Sequence, residues 1–330
     1  MSNLITYKDN ILIAGASGLA GRGINRSLIR KGYGSKRSGA FIFTPNRKEL
    51  NLLSINSVNN WFIKNKPSIV IVAAAKVGGI LANCKYPGDF ILENLKIQTN
   101  LIEASWRNGV KRLLFLGSSC IYPKYSEQPI REEYLLQGPL ESTNEAYALA
   151  KIAGLKLCES LRKQYQFDAI SLMPTNLFGL GDNYDVNNSH VMAALIKKFC
   201  DAKNHEINEV TCWGTGKPLR EFLYVDDLGD AVVFALEKWN PNSNTSPKDK
   251  FGNPLLHLNV GTGKEISIKR LAELIAKLCD YKGKINWDLS KPDGTPKKLL
   301  NIEKISQLGW EPKTSLEDGI KKTINFYLNN

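Results

Sequence analysis

The chain has 330 residues, 43% of them hydrophobic and 23% charged, and a net charge of +12. That composition excludes an intrinsically disordered polymer, and no apolar run approaches the ~20 residues of a membrane span. Six scattered cysteines (Cys84, Cys120, Cys158, Cys200, Cys212, Cys279) include no C-x-x-C pair, which excludes a disulfide framework and a zinc knuckle and fits a reducing, cytoplasmic setting.

In chain order, a short apolar strand is predicted over 11–14 and a helix over 18–31, with Leu19, Ile24, Leu28 and Ile29 at helical spacing. A second strand covers 40–43, and a helix over 55–65 stops before Pro67. Residues 69–74 form a continuous apolar run, the pattern of a strand buried on both faces. A helix over 88–108, a strand over 113–116, a helix over 144–165 and a strand over 169–173 complete the rhythm. Repeated βαβ units require parallel strands and right-handed crossovers. The expected fold is therefore α/β, a Rossmann-type doubly wound parallel sheet with a smaller α/β substrate-binding lobe.

After Pro174 the periodicity loosens. Residues 179–189 and 240–254 read as loops, and helical spacing returns over 268–278 and 316–328. The expected division places 1–177 in a nucleotide-binding domain, with 222–262 returning to it, and 178–221 with 263–330 in the second lobe. The loop at 240–254 suggests no role.

The charge is unevenly distributed. Residues 1–165 hold 23 basic and 11 acidic side chains, whereas 166–330 hold 21 of each. Arg22, Arg26, Arg30, Lys31, Lys36, Arg37, Arg47 and Lys48 fall between Asp9 and Glu49 with no acid among them. Such a half suits a phosphate-bearing partner, a nucleotide or a nucleic acid, or else is a solvated basic face. No nucleic-acid motif accompanies it.

Three groups of residues carry chemistry. Gly15-Ala-Ser-Gly18-Leu-Ala-Gly21 follows a strand and opens a helix, the context in which glycines admit a pyrophosphate to a helix N-terminus. The end of the second strand, Phe43-Thr-Pro-Asn46-Arg47-Lys48, lacks the acid that usually holds an NAD ribose. Its two cations suit a 2′-phosphate, so NADPH is expected over NADH. Tyr147 and Lys151 stand four apart on a helix, with Ser118 and Ser119 after a strand. An ammonium beside a phenol favours its ionised form, and a serine hydroxyl there holds a substrate oxygen, a set suited to carbonyl reduction.

The chain resembles the extended short-chain dehydrogenase/reductases, and within them the nucleotide-sugar epimerase-reductases. The resembling stretches are AAAKVGGILAN (73–83), LLFLGSSCIYPK (113–124), NEAYALAKIAGLKLCES (144–160), MPTNLFG (173–179), NSHV (188–191), WGTGKPLREFLYVDD (213–227), LNVGTG (258–263) and SKPDGTPKKLL (290–300). The resemblance implies conversion of GDP-4-keto-6-deoxy-D-mannose to GDP-L-fucose: epimerisation at sugar carbons 3 and 5, then NADPH-dependent reduction of the 4-keto group. The alternatives are a related enzyme of GDP-colitose formation and a nucleotide-sugar 4-epimerase holding NAD.

On residues alone, Cys120 reads as a small buried hydrophobe and His190 as a structural or surface histidine. The resemblance makes them the epimerisation acid–base pair. It also makes Tyr147 the proton donor to the keto oxygen, Lys151 its tuning partner and Ser118 a hydrogen-bond donor to that oxygen. For the cofactor it implies Gly15, Ser17, Gly18, Leu19, Gly21, Arg47, Leu116, Gly117, Ser119, Lys151, Pro174, Asn176, Leu177 and His190. For the GDP-sugar it implies Lys198, Trp213, Arg220 and Asp293. No metal is expected. The serine at position 17, where some relatives carry arginine, leaves the 2′-phosphate to Arg47 and the nearby basic run. The family also implies a homodimer built on the helices over 88–108 and 144–165, with neither membrane nor nucleic acid as partner.

Overall fold

The computed structural model describes residues 3–36, 38–185, 189–291 and 293–329. Arg37 of the basic run, and Asn187 and Asn188 beside His190, lie outside them. The first half alternates as the apolar pattern requires: β1 (Ile11–Ala14), α1 (Leu19–Arg30), β2 (Ile42–Phe43), α2 (Ile55–Asn65), β3 (Ile69–Val72), α3 (Ile80–Lys85), α4 (Pro87–Arg107), β4 (Arg112–Leu116), α5 (Glu145–Tyr165) and β5 (Ala169–Pro174). The second half adds β6 (Asn176–Phe178), α6 (Val191–Asn204), β7 (Glu209–Trp213), β8 (Leu219–Tyr224), α7 (Val225–Lys238), β9 (His257–Val260), β10 (Glu265–Ser267), α8 (Ile268–Leu278), β11 (Lys284–Asp288), β12 (Lys297–Lys298), α9 (Glu303–Gln307) and α10 (Leu316–Leu328). Helix starts follow the local sequence. Ser54, Ser267 and Ser315 each accept a hydrogen bond from the backbone N–H three residues on, at α2, α8 and α10.

Six parallel strands form the central sheet in the order β2-β1-β3-β4-β5-β9. Side chains alternate across it with period two. Ile11, Ile13, Ile69, Ile71, Leu114, Leu116, Ile170 and Leu172 pack on the face covered by α1 and α7. Leu12, Val70, Val72, Leu113, Phe115 and Met173 pack on the other, under α2, α4 and α5. Residues from both halves of the chain therefore build one core, since Leu228, Val232, Leu236 and Trp239 join it from α7 and its end. The helices α1 and α7 approach so closely that a Cβ on Gly229 would overlap the Gly23 carbonyl oxygen.

A smaller sheet, β10-β8-β12 with β6 also paired to β8, and a two-stranded pair β11-β7 lie with α6, α8 and α10 around a third core. Buried Glu221 on β8 fastens the junction. It accepts the backbone N–H groups of Thr262, Gly263 and Leu300 at 2.6–3.0 Å. Three backbone donors on one carboxylate satisfy a group that is costly to bury alone.

Candidate active site

Strand order reverses between β1 and β3, and in open parallel sheets ligands sit beyond the carboxyl ends of the strands at that point. The Gly15–Gly21 loop occupies it. Gly15 has φ +90°, and a Cβ there would stand 2.6 Å from the Ala74 backbone; a Cβ on Gly21 would overlap the Gly15 carbonyl oxygen. The loop thus needs glycine for backbone shape at one position and for close packing at the other. Gly18 caps α1 without a side-chain hydrogen bond, and the first turn holds no acid. Ser17 is exposed, and its carbonyl oxygen accepts Arg22 Nε at 2.8 Å. Leu19 begins the helix. Arg47 lies exposed just past β2, where Glu49 is occupied in accepting the Asn46 N–H. These features fit a pyrophosphate at the helix end and a 2′-phosphate at the second strand.

The neighbouring strand ends supply the second group. Leu116 closes β4, and its carbonyl oxygen accepts Lys151 Nζ at 2.8 Å. Gly117 packs against Met173 so closely that a Cβ would overlap the sulfur. Ser119 is buried while Ser118 is partly exposed, and Ser118 Oγ accepts the Cys120 N–H at 3.2 Å. Pro174 ends β5, Leu177 packs on the large core, and Asn176 Nδ2 donates to the Glu221 carbonyl.

Tyr147 and Lys151 share one face of α5, with the Lys151 ammonium 5.9 Å from the Tyr147 ring centre and 4.8 Å from that of Phe115. The electrostatics differ from the sequence expectation. Burial pushes the Tyr147 phenol up, with the Cys120 charge adding to the rise and Ser118 acting the other way. Burial alone pulls Lys151 down to about 8. The lysine is engaged with a carbonyl oxygen rather than with the phenol, so its charge does not lower the phenol here.

Cys120, in a turn after β4, is partly exposed. His190 stands exposed at the start of α6, and desolvation by the surrounding protein lowers its imidazole. The Gly78–Gly79 turn brings the 73–83 stretch against that segment: a Cβ on Gly79 would lie 3.3 Å from the Ser189 carbonyl oxygen. Among the described residues no direct hydrogen bond joins His190 to Cys120.

The remaining predicted residues form a third group on the small lobe. Trp213 is 51% exposed, and the ammonium groups of Lys198 and Lys291 each stand 5.6 Å from its ring centre. Lys198 Nζ also donates to the Thr211 carbonyl at 2.8 Å. Asp293 accepts the N–H and the hydroxyl of Thr215, each at 2.7 Å, and these bonds hold its carboxyl below the usual range. Arg220 is partly buried, and burial lowers its guanidinium against the opposing charges of Asp293, Cys120 and Glu141. An exposed indole suits stacking on a planar base, and the two nearby cations suit phosphates.

Three side chains escape a reading of the sequence: Lys291, Asn144 and Lys298. All lie in or beside stretches that carry the resemblance, but their local spacing marks none of them.

A parallel sheet with a glycine-cradled helix end at its switch point, and a Tyr–Lys pair at the adjacent strand end, defines the extended short-chain dehydrogenase/reductase class. The model of the NAD dependent epimerase/dehydratase family matches residues 11–247, and the chain belongs to that family. It is 50% identical to a putative GDP-L-fucose synthase 2 of Arabidopsis thaliana, over 100% of this chain and 94% of that one. It is 47% identical to a GDP-L-fucose synthase of Escherichia coli, over 98% of each. A GDP-L-fucose synthetase of Naegleria fowleri solved with NADP superposes with a TM-score of 0.84 at 27% identity, covering 99% of this chain and 96% of that one.

Proposed function

We propose that this chain converts GDP-4-keto-6-deoxy-D-mannose to GDP-L-fucose, epimerising carbons 3 and 5 and then reducing the 4-keto group with NADPH. The observation that carries the reading is near-complete alignment with two proteins named for that product, joined to the cluster of Ser118, Cys120, Tyr147 and Lys151. NADPH, held by the Gly15–Gly21 loop and Arg47, supplies a hydride. Lys151 is fixed by the Leu116 carbonyl oxygen where the nicotinamide ribose is expected, with the strand ends at Leu116–Ser119 and Pro174–Leu177 alongside.

The ketone acidifies the C–H bonds on both neighbouring carbons. Cys120 takes a proton from one face, giving an enolate, and His190 returns one to the other. Desolvation lowers the His190 imidazole, which leaves it neutral near pH 7 and makes its protonated form the stronger acid toward the enolate. Ser118 then hydrogen-bonds the keto oxygen, and Tyr147 gives it a proton as the carbonyl is reduced. A phenol held neutral by burial is a proton donor at every physiological pH. Lys198, Trp213, Arg220 and Asp293 hold the GDP portion. Residues 1–177 and 222–262 serve the cofactor, and the rest serves the sugar nucleotide. The active form is a homodimer built on α4 and α5 in a reducing cytoplasm; the free cysteines are consistent with such a compartment.

The test is to incubate purified protein with NADPH and the 4-keto substrate, follow NADPH absorbance and identify the product by NMR. NADPH loss with an L-fuco product is expected. Tyr147→Phe should lose at least ~100-fold in reduction while deuterium from solvent still enters the sugar. NADPH loss that yields only the 6-deoxy-D-sugar removes Cys120 and His190 from their roles. No turnover with this sugar, but turnover with its 3-deoxy analogue, moves the assignment to colitose formation. Stoichiometric NAD retained through purification favours the 4-epimerase.

A further inference from the structure

Two donors from distant parts of the chain converge on the Cys120 sulfur. Asn144 Nδ2 lies 3.5 Å from Sγ and Lys298 Nζ lies 3.6 Å from it. Neither has a place in the acid–base scheme above. We propose that Lys298, with Asn144 as second donor, is a positioning residue that holds Cys120 as a thiolate and thereby makes it a competent base; the proposal rests on the epimerase reading of the same site.

The backbone around Lys298 is tied on every side. Lys298 pairs with Arg220 in the parallel β12–β8 register. Lys297 Nζ meets Glu265 at 2.9 Å, the Leu299 N–H donates to Gln128 Oε1 at 2.8 Å, and the Leu300 N–H donates to buried Glu221 at 3.0 Å. Among the described residues Lys298 forms no ion pair with a carboxylate, so its charge is not spent elsewhere. The Cys120 backbone is held by its N–H bond to Ser118 Oγ.

Among the described residues, the Tyr147 phenol from α5 and Arg220 from β8 also interact electrostatically with the sulfur. Arg220 is opposed by Asp293 and Glu141. Among the described residues, Lys298 is therefore the cation in contact with Sγ. A free thiol, with a pKa of about 8.5, is only a few per cent thiolate near pH 7, whereas a contacting cation raises that fraction. In the step itself, Sγ takes the proton of the carbon beside the ketone. The C–H electron pair becomes the enolate, the sulfur becomes a thiol, and Lys298 keeps all its protons.

The alkylation test needs no substrate. In a Cys84→Ala background, which removes the exposed thiol, alkylation of Cys120 by iodoacetamide is followed by peptide mass from about pH 6 to about pH 10. Lys298→Met should move the midpoint up by about one pH unit and slow alkylation near neutrality about tenfold. Lys298→Arg should restore most of both, and Asn144→Ala should give a smaller shift. NADPH affinity, unchanged in all of them, shows that the fold is intact. A midpoint that does not move in Lys298→Met overturns the proposal, as does one that Lys298→Arg fails to restore while NADPH still binds. Solvent deuterium exchange into the sugar, surviving in Cys120→Ser, would instead remove the epimerase role of Cys120, whatever the alkylation profile.

Discussion

At Lys151 a single residue serves a site at the expense of the fold. The side chain is 3% exposed, its ammonium rests on one carbonyl oxygen, and burial pulls it down to about 8. A lysine depressed in the folded state destabilises wherever both states are protonated, which is below about pH 8. As pH rises from there towards the ordinary lysine value of about 10.4, the folded protein has already lost the proton and the penalty fades. Lys151→Met should therefore gain on the order of 2 kcal/mol in urea unfolding at pH 7, after allowing for the lost hydrogen bond, and lose that advantage by about pH 10. Reduction should fail in the same variant. A variant less stable than the parent at pH 7 would show that the carbonyl contact outweighs desolvation. The Tyr147–Lys151 spacing was legible because i,i+4 geometry is local to a helix. The state of the phenol was not, since it depends on what surrounds α5.

Among the elements, α1 and α7 show how the two halves of the chain interlock. Gly23 and Gly229 let the helices touch, and Arg26 and Arg30 of α1 pair with Asp226 and Asp230 of α7. Part of the basic run thus reads as interhelical pairing rather than as a surface for phosphates. Gly229→Ala should cost about 2 kcal/mol in unfolding, with both helices splayed by the added methyl group. Unchanged stability would mean that the helices separate freely. The apolar strands and the helically spaced segments were legible because each is written in a few adjacent residues. The pairing of β12 with β8 was not, because a two-residue strand carries no period.

For the molecule as a whole, ligand linkage gives the broadest check. NADPH at a hundred times its Kd should stabilise the protein by about 2.7 kcal/mol, and NADH at the same concentration by less. Arg47→Ala should narrow the gap between the two cofactors without touching the NADH value, because only NADPH carries the 2′-phosphate. An undiminished gap would assign that phosphate to another cation.

The sequence by itself determined the parallel α/β sheet, the glycine loop at its switch point, and the stretches whose likeness pointed to an epimerase-reductase. Each of these rests on spacing within a turn or a strand, or on runs of consecutive residues. Only the tertiary structure decided what surrounds the Cys120 sulfur. Asn144 is 24 residues from it and Lys298 is 178 residues from it, and no local pattern links them. Their meeting depends on β12 docking against β8, on Glu221 holding the following backbone, and on α5 beginning beside the turn after β4. Electrostatic reach is a property of distance through space, and the packing of the two lobes sets that distance.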